Sequence, residues 1–377
     1  LDQSVWRQAV LDPLLAWRDR LLMSAKFQRW AAVFLPTRWI ATRRERALFD
    51  LCAGFVYTQT LLACVRLKIF EVLSNGPATP EVIGPQVGLS PQMAQRLLLA
   101  ATSLNLVERR SVQRFGLGPL GAAILGNPGV AAMIEHHSML YQDLVDPVAL
   151  LQGRPGSREL NAYWAYAKAD SPSALAEERV TAYSALMAAS QTMVAEDVVA
   201  AWPFDRYRRV LDVGGGEGVF LSAVGLAAPR AELILFDLPA VARRGAQRLQ
   251  AAGQGGRSQA VGGDFCLDPL PEGADLITLV RVLHDHDDDL VLQLLRAVRR
   301  AIPPDGTLLI AEPMAGTAGA ERIADAYFGF YLLAMGSGRA RTPAELKALL
   351  ILAGFTDIKQ PRTRRPLRVR LLTARPA

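Results

Sequence analysis

The stretch VLDVGGGEGVFLSAV, running from Val210 to Val224, decides the fold. Val210, Leu211 and Val213 read as a buried strand, Gly214 to Gly218 as a turn, and the residues from Val219 onward as a helix. Glycines in such a turn let a ligand approach the backbone, and the helix that follows offers unpaired N–H groups at its start. A dinucleotide fingerprint of the form G-x-G-x-x-G beginning at Gly214 needs glycine or alanine at position 219, which is Val219. The spacing present is D-x-G-x-G-x-G, carried by Asp212, Gly214, Gly216 and Gly218.

Downstream of this turn, apolar runs of strand length alternate with helical stretches: AELILFDL, AVGGDF, ADLITLV, GTLLIAEP, FTDIKQ and VRLLTA. Such alternation predicts an α/β layer with a largely parallel sheet. Upstream the pattern is helical. Residues 4–34 read as an amphipathic helix with Trp6, Trp17 and Trp30 among basic residues, and 46–75 as a more apolar one. From Thr79 to Gly118 the order helix, Gly88-Leu89-Ser90-Pro91 turn, Ser90-capped second helix and short hairpin predicts a winged helix. Residues 130–200 read as helical again, and Pro203 marks the change of character. The expected organisation is therefore an arm over 1–45, a helical and winged-helix domain over 46–203, and an α/β domain over 204–377.

Composition narrows the function classes. At 377 residues, half of them hydrophobic, the chain is long enough for two domains with sizeable cores. A net charge of +6 is compatible with nucleic acid, an anionic membrane or an anionic ligand, and selects none. The cysteines are Cys52, Cys64 and Cys266, with no C-x-x-C spacing, which argues against a disulfide frame and a zinc site and fits a reducing cytoplasm. No signal-peptide pattern is visible, and the opening Leu1 leaves room for residues upstream. The apolar run Leu51 to Val65 reads as too short and too polar for a membrane span.

The ordered signature LDVGGGEG, FDLP, GGDF, LHDHDD, AEPM and GRART resembles the small-molecule O-methyltransferases that use S-adenosylmethionine, over roughly residues 45–375. FDLCAGFVYTQTLLACVRL, LVRVLHDHDD and YFGFYLLAMGSGRART are similar to a carotenoid branch of that family in purple phototrophic bacteria, the hydroxyneurosporene and demethylspheroidene O-methyltransferases. The resemblance implies a Rossmann-like class I methyltransferase sheet, a winged-helix dimerisation domain and a homodimer. It implies S-adenosylmethionine as cofactor, no metal, and methyl transfer to a tertiary hydroxyl of a hydroxylated carotenoid.

On that reading Gly214 and Gly216 line the cofactor, Asp237 accepts from both ribose hydroxyls, Asp264 accepts from the adenine amine, Phe265 covers the ring, and Arg281 belongs to the same site. The plainer alternative is three strand-end turns with capping acids. The resemblance places the general base on His284 and the acid that holds it on Glu312. Plant members carry a second acid just before the RT pair; here that position is Ala340, so half of the clamp is missing. The acceptor pocket is expected to be lined by Met139, Tyr327, Phe328, Tyr331 and Met335, with Phe330, Tyr141, Trp164 and Met187 as further candidates, core or dimer packing being the alternative for each. His136 and His137 read as helix-surface residues, with orientation of the acceptor hydroxyl as the alternative. Within RVLHDHDDDL, Asp287, Asp288 and Asp289 read as caps of the following helix and His286 as packing or pocket wall; a metal site is disfavoured, because adjacent residues entering a helix converge poorly on a metal.

Other function classes stay open. A phenolic or polyketide metabolite could replace the carotenoid, the fold could carry pigment without turnover, or the winged helix could bind DNA. Against DNA, its second helix offers Gln92, Gln95 and Arg96 and then turns apolar. The basic, tryptophan-bearing segment 4–44 suits either an arm around a partner subunit or peripheral contact with the inner photosynthetic membrane.

Overall fold

The computed structural model describes residues 3–154, 156, 159–163 and 191–377. Its packing divides into two compact units, 1–122 and 123–377. The division lies well upstream of Pro203, because the helices Pro128–Asp143, Glu159–Tyr163 and 191–201 pack within the second unit.

The first unit opens with two helices, Gln3–Met23 and Ala25–Val33, where the sequence suggested one. Ser24 causes the break by capping the second helix, its Oγ accepting from the Phe27 amide at 3.4 Å. A 32-residue helix, Leu35–Arg66, follows. It is far longer than the apolar run read from the sequence, and it is long and apolar enough to cross a membrane by length and composition alone. Only 11% of its most apolar window is buried within the chain. Lys68, in the left-handed region at φ 54°, turns the chain into the helix Ile69–Ser74.

The winged helix forms as expected. Its helices Pro80–Gln86 and Pro91–Ser103 precede strands β1 (Val107–Ser111) and β2 (Arg114–Leu117), which pair antiparallel. Ser90 caps the second helix through the Met93 amide at 3.3 Å. Gly84 permits the tight turn between them, since a Cβ there would stand 2.7 Å from the Leu89 carbonyl oxygen. Ile83, Leu98, Val107 and Phe115 form the buried centre.

The second unit is built on seven strands: β3 (Arg209–Val213), β4 (Glu232–Asp237), β5 (Ser258–Gly262), β6 (Leu276–Val280), β7 (Thr307–Glu312), β8 (Phe355–Lys359) and β9 (Arg370–Pro376). Their order is β5-β4-β3-β6-β7-β9-β8. The first five are parallel, and β9 runs antiparallel to both neighbours. Helices cover both faces, so β6 and β7 are buried along their whole length and are apolar apart from Thr278, Thr307 and Glu312. One face packs Leu211, Ile277 and Leu308 against the helix Asp288–Ala301, and the other packs Val210, Leu233 and Leu309 against Val219–Ala227 and the 191–201 helix. Each fully buried Val, Leu or Ile contributes about 1.5–3 kcal/mol relative to exposure. The chain builds outward from β3 through β4 to β5, then returns to place β6 on the other side of β3. That reversal opens a crevice at the carboxyl ends of β3 and β6, where ligands bind in sheets of this kind.

Candidate active site

At this crevice lies a cavity of about 580 Å³, formed within the second unit. The glycine loop makes one wall. Gly214, Gly216 and Gly218 all take positive φ, at 67°, 58° and 75°. At Gly214 a Cβ would also stand 2.9 Å from the Val282 side chain, so the loop leaves no room for one. Asp237, at the end of β4, accepts from the Gly216 amide at 2.8 Å and the Leu238 amide at 2.7 Å. Burial nevertheless pushes its carboxyl up to about 6, and Asp212 behind the loop rises to about 7 by burial. One oxygen of Asp212 accepts from Thr278 at 2.7 Å, while the other is buried without a partner among the described residues. Asp264 and Phe265, just beyond β5, also line the cavity. Asp264 turns one oxygen to the Cys266 amide at 2.8 Å.

Opposite the loop, β6 ends and Arg281 adopts φ 58°, unusual for a residue with a side chain. This kink starts the short 3₁₀ turn Leu283–Asp285 that carries His284. His284 is buried, and its Nδ1 donates to Glu312 Oε2 at 2.5 Å. Glu312 Oε1 accepts from the Val282 and Leu283 amides at 2.9 and 2.7 Å, so one carboxylate fixes both the ring and the turn beneath it. A second carboxylate near the ring comes from the adjacent residue. Asp285 Oδ1 lies 3.2 Å from His284 Nε2. Burial pulls His284 toward the neutral form, but Asp285 and Glu312 outweigh it and raise its pKa above the ordinary value.

The segment after Met335 holds the same turn from outside. Arg341, buried, donates to the carbonyls of Leu283 at 2.7 Å and His286 at 2.6 Å, and to Asp288 Oδ1 at 2.7 Å. Ser337 donates to the Asp285 carbonyl at 3.1 Å, and the Gly338 amide donates to Asp287 at 2.9 Å. Gly338 sits so close that a Cβ would stand 2.2 Å from the His284 carbonyl oxygen. Asp287 thus stands at the N-cap of the helix Asp288–Ala301 without the expected side-chain cap bond, its carboxylate turned to the Gly338 amide instead, and Asp288 pairs with Arg339 and Arg341.

Helical segments supply the remaining wall. Tyr327, Phe328, Tyr331 and Met335 line the cavity, and Phe328 meets the His284 ring edge-on at 5.7 Å. Met139 does not line it; helical spacing turns Met133 and His137 inward, while Met139 packs against the cluster around Leu140 and Tyr331. Trp164 and Met187 lie outside the described residues. His136 and His137 are not surface residues. His136 Nε2 bonds to the Tyr331 hydroxyl and His137 Nε2 to the Tyr327 hydroxyl, both at 2.8 Å. Burial lowers His136 to about 4 and lowers His137 as well, so both act as neutral partners. His286 forms cavity wall, edge-on to Phe265 at 5.4 Å. Among the described residues, no group of three or more His, Cys, Asp or Glu side chains is arranged to hold a metal ion.

The site therefore joins an acid-rich glycine-loop wall, which suits a cationic ligand, to a histidine clamped by two carboxylates and an aromatic wall. Comparison with known proteins agrees with this chemistry. A family model described as the O-methyltransferase domain matches residues 141–356, and one described as the O-methyltransferase dimerisation domain matches residues 49–127. The chain is 45% identical over 341 residues to a demethylspheroidene O-methyltransferase of Cereibacter sphaeroides, covering 90% of this chain and 89% of that one. It is 44% identical over 349 residues to the enzyme of the same name from Rhodobacter capsulatus, covering 90% and 85%. Among solved structures, the SAH-bound form of CalO1, a methyltransferase in calicheamicin biosynthesis, superposes with a TM-score of 0.74 at 26% identity, covering 89% of this chain and 99% of that one. The chain belongs to the O-methyltransferase family, as an S-adenosylmethionine-dependent enzyme with a dimerisation domain ahead of its catalytic sheet.

Proposed function

We propose that this enzyme methylates the tertiary 1-hydroxyl of an acyclic hydroxycarotenoid in the cytoplasm, as a homodimer and without a metal, with His284 as general base. The observation that carries the chemistry is His284, held between Glu312 and Asp285 beside a cavity that also contains the glycine loop. The similarity to two demethylspheroidene O-methyltransferases supports the acceptor. So does the aromatic and methionine lining of the helical wall, suited to a polyene end.

S-adenosylmethionine, when bound, supplies an electrophilic methyl group on a sulfonium. Its residues on this reading are Gly214, Gly216, Asp237, Asp264, Phe265 and Arg281, and the acids among them suit its positive charge. The amides that Asp237 engages stiffen the loop so that it needs little reordering on binding. Phe265, Phe328 and Tyr327 exclude water from the reacting hydroxyl.

The alcohol attacks poorly while it keeps its proton. Glu312 holds the proton on Nδ1 and leaves Nε2 as the acceptor. An acceptor hydroxyl that takes the place of Asp285 at Nε2 gives up its proton as the C–O bond forms, and both carboxylates stabilise the resulting imidazolium. Base catalysis of this kind contributes roughly 10²–10⁴-fold, and alignment of the hydroxyl several kcal/mol more.

Transfer of radiolabelled methyl from S-adenosylmethionine to a hydroxycarotenoid, run beside a panel of phenols, tests the acceptor. Label on the carotenoid ether is the expected result. Label on phenols alone would replace the acceptor and keep the enzyme, and cofactor binding without any labelled product would favour a carrier.

A further inference from the structure

The loop between β8 and β9 reads PRTRRPLRVR, residues 361–370, with five arginines and no acid. Its place follows from the sheet. Arg370 pairs with Glu312 at the carboxyl end of β7, so the loop stands on the edge of the sheet that bears the site. Leu367 and Arg368 line the cavity itself, and Leu367 is still 45% exposed. Ile323, also on the cavity wall, is 40% exposed. The cavity therefore opens through a rim with apolar side chains on it.

The arginines divide by role. Arg365 and Arg368 lie 3.5 and 3.1 Å from the buried Asp197, and Arg370 donates to Thr317 at 3.0 Å. These contacts hold the loop against the body of the unit. Arg362 and Arg364 are exposed and, among the described residues, have no carboxylate partner. Fixed, unneutralised positive charge beside exposed apolar side chains at the mouth of an apolar cavity is the arrangement that meets an anionic membrane surface.

We propose that the 361–368 loop docks the cavity mouth on an anionic phospholipid bilayer, so that an apolar acceptor passes from lipid to the site without crossing water. The choice of acceptor rests on the carotenoid reading, but the docking does not require it. Arg362 and Arg364 contact headgroups while Leu367 reaches the acyl boundary. A second basic surface exists in the first unit, where residues 3–44 hold eight basic and two acidic residues, so the experiment must separate the two.

The test is sedimentation of the full-length enzyme with vesicles of phosphatidylcholine, with and without phosphatidylglycerol. The wild type is expected to partition onto the anionic vesicles only and to be released by salt. With about fivefold for each basic residue near the surface, Arg362→Gln with Arg364→Gln should weaken partition by about twenty-fivefold. Neither residue lines the cavity, so the double variant should keep kcat and cofactor affinity, with a raised KM only for acceptor delivered in anionic vesicles. Arg18→Gln with Arg29→Gln is the control on the other basic surface. Unchanged partition of the rim variant, partition lost only in the control, or no binding by the wild type would each overturn the proposal. Retained docking by an enzyme that methylates only soluble phenols would uphold the surface and refute the carotenoid acceptor.

Discussion

On the glycine-loop side of the cavity, the groups come from turns that directly follow β3, β4 and β5, and neighbouring backbone amides hold them in place. On the histidine side, His284 rides on a kinked turn held by residues distant in sequence, from Glu312 and from Ser337 to Arg341. The first arrangement runs through backbone amides of adjoining strand-end turns, with Gly216 and Asp237 joined across 21 residues. The second is assembled, and its precision depends on buried charge and on one glycine that admits no side chain. On the proposed function, such a site pairs a cofactor wall built from strand-end turns with a base that tertiary contacts must aim.

The comparison is put under most strain by removing the base. His284→Ala should lower kcat by about 10²–10⁴-fold and leave cofactor affinity unchanged by calorimetry. Near-normal turnover would show that alignment suffices. The strap comes next. Arg341→Gln removes donors to two carbonyls of the histidine turn, and Gly338→Ala pushes directly on the His284 carbonyl. Each should lower kcat by about 10²-fold with little change in cofactor affinity, because displacement by about an ångström is costly at a reacting centre. If both variants lost only thermal stability, the strap would be scaffold alone.

Gly214→Ala addresses the other wall. With φ at 67° and Val282 2.9 Å from the new Cβ, it should weaken cofactor binding about tenfold, the left-handed backbone alone costing about 1–2 kcal/mol. Titration of cofactor into the variant reads this directly, and an unchanged Kd would mean that the loop adapts.

Glu312→Gln distinguishes a positioning carboxylate from a charged one. The base is competent when neutral, so activity rises as pH climbs through the His284 pKa. Because Asp285 and Glu312 raise that pKa against the effect of burial, the acid limb of kcat should lie above the ordinary histidine value of about 6.5. Losing the Glu312 charge should move the limb to lower pH while kcat falls. An unmoved limb in a pH-rate profile would leave Asp285 as the dominant charge.

The smallest effect is expected on the helical wall. Tyr327→Phe leaves His137 without its hydroxyl partner, at about 1–3 kcal/mol of stability, and Tyr327→Phe with His137→Phe should recover part of that loss. Thermal denaturation of the single and double variants measures the coupling. Full additivity would mean that the pair is incidental.

Fold class was legible from residue order, since strand-length apolar runs and the glycine turn repeat on a scale that local physics sets. All seven strands of the large sheet appear where apolar runs predicted them, while the antiparallel pairing of VRLLTA with both its neighbours is seen only in the structure. Helix breaks were less legible: Ser24 and Lys68 end segments whose periodicity continues, because a single cap or left-handed residue outweighs it. His136 and His137 read as surface residues because their partners lie about 190 residues away. Asp285 was hidden for the opposite reason. It adjoins His284 in sequence, and only the 3₁₀ turn brings its carboxylate to Nε2.

By itself the sequence determined the doubly wound sheet, the winged helix, the glycine loop and the identity of the strand-end acids. Each follows from side-chain alternation, turn chemistry and short-range spacing, which act over a few residues. Tertiary structure alone decided that Asp285 stands 3.2 Å from His284 Nε2, that Arg341 and Gly338 fix the histidine turn, that His137 rather than Met139 faces the cavity, and that an arginine loop forms the cavity rim. Those features depend on which buried polar groups find partners, and burial is a property of the folded chain.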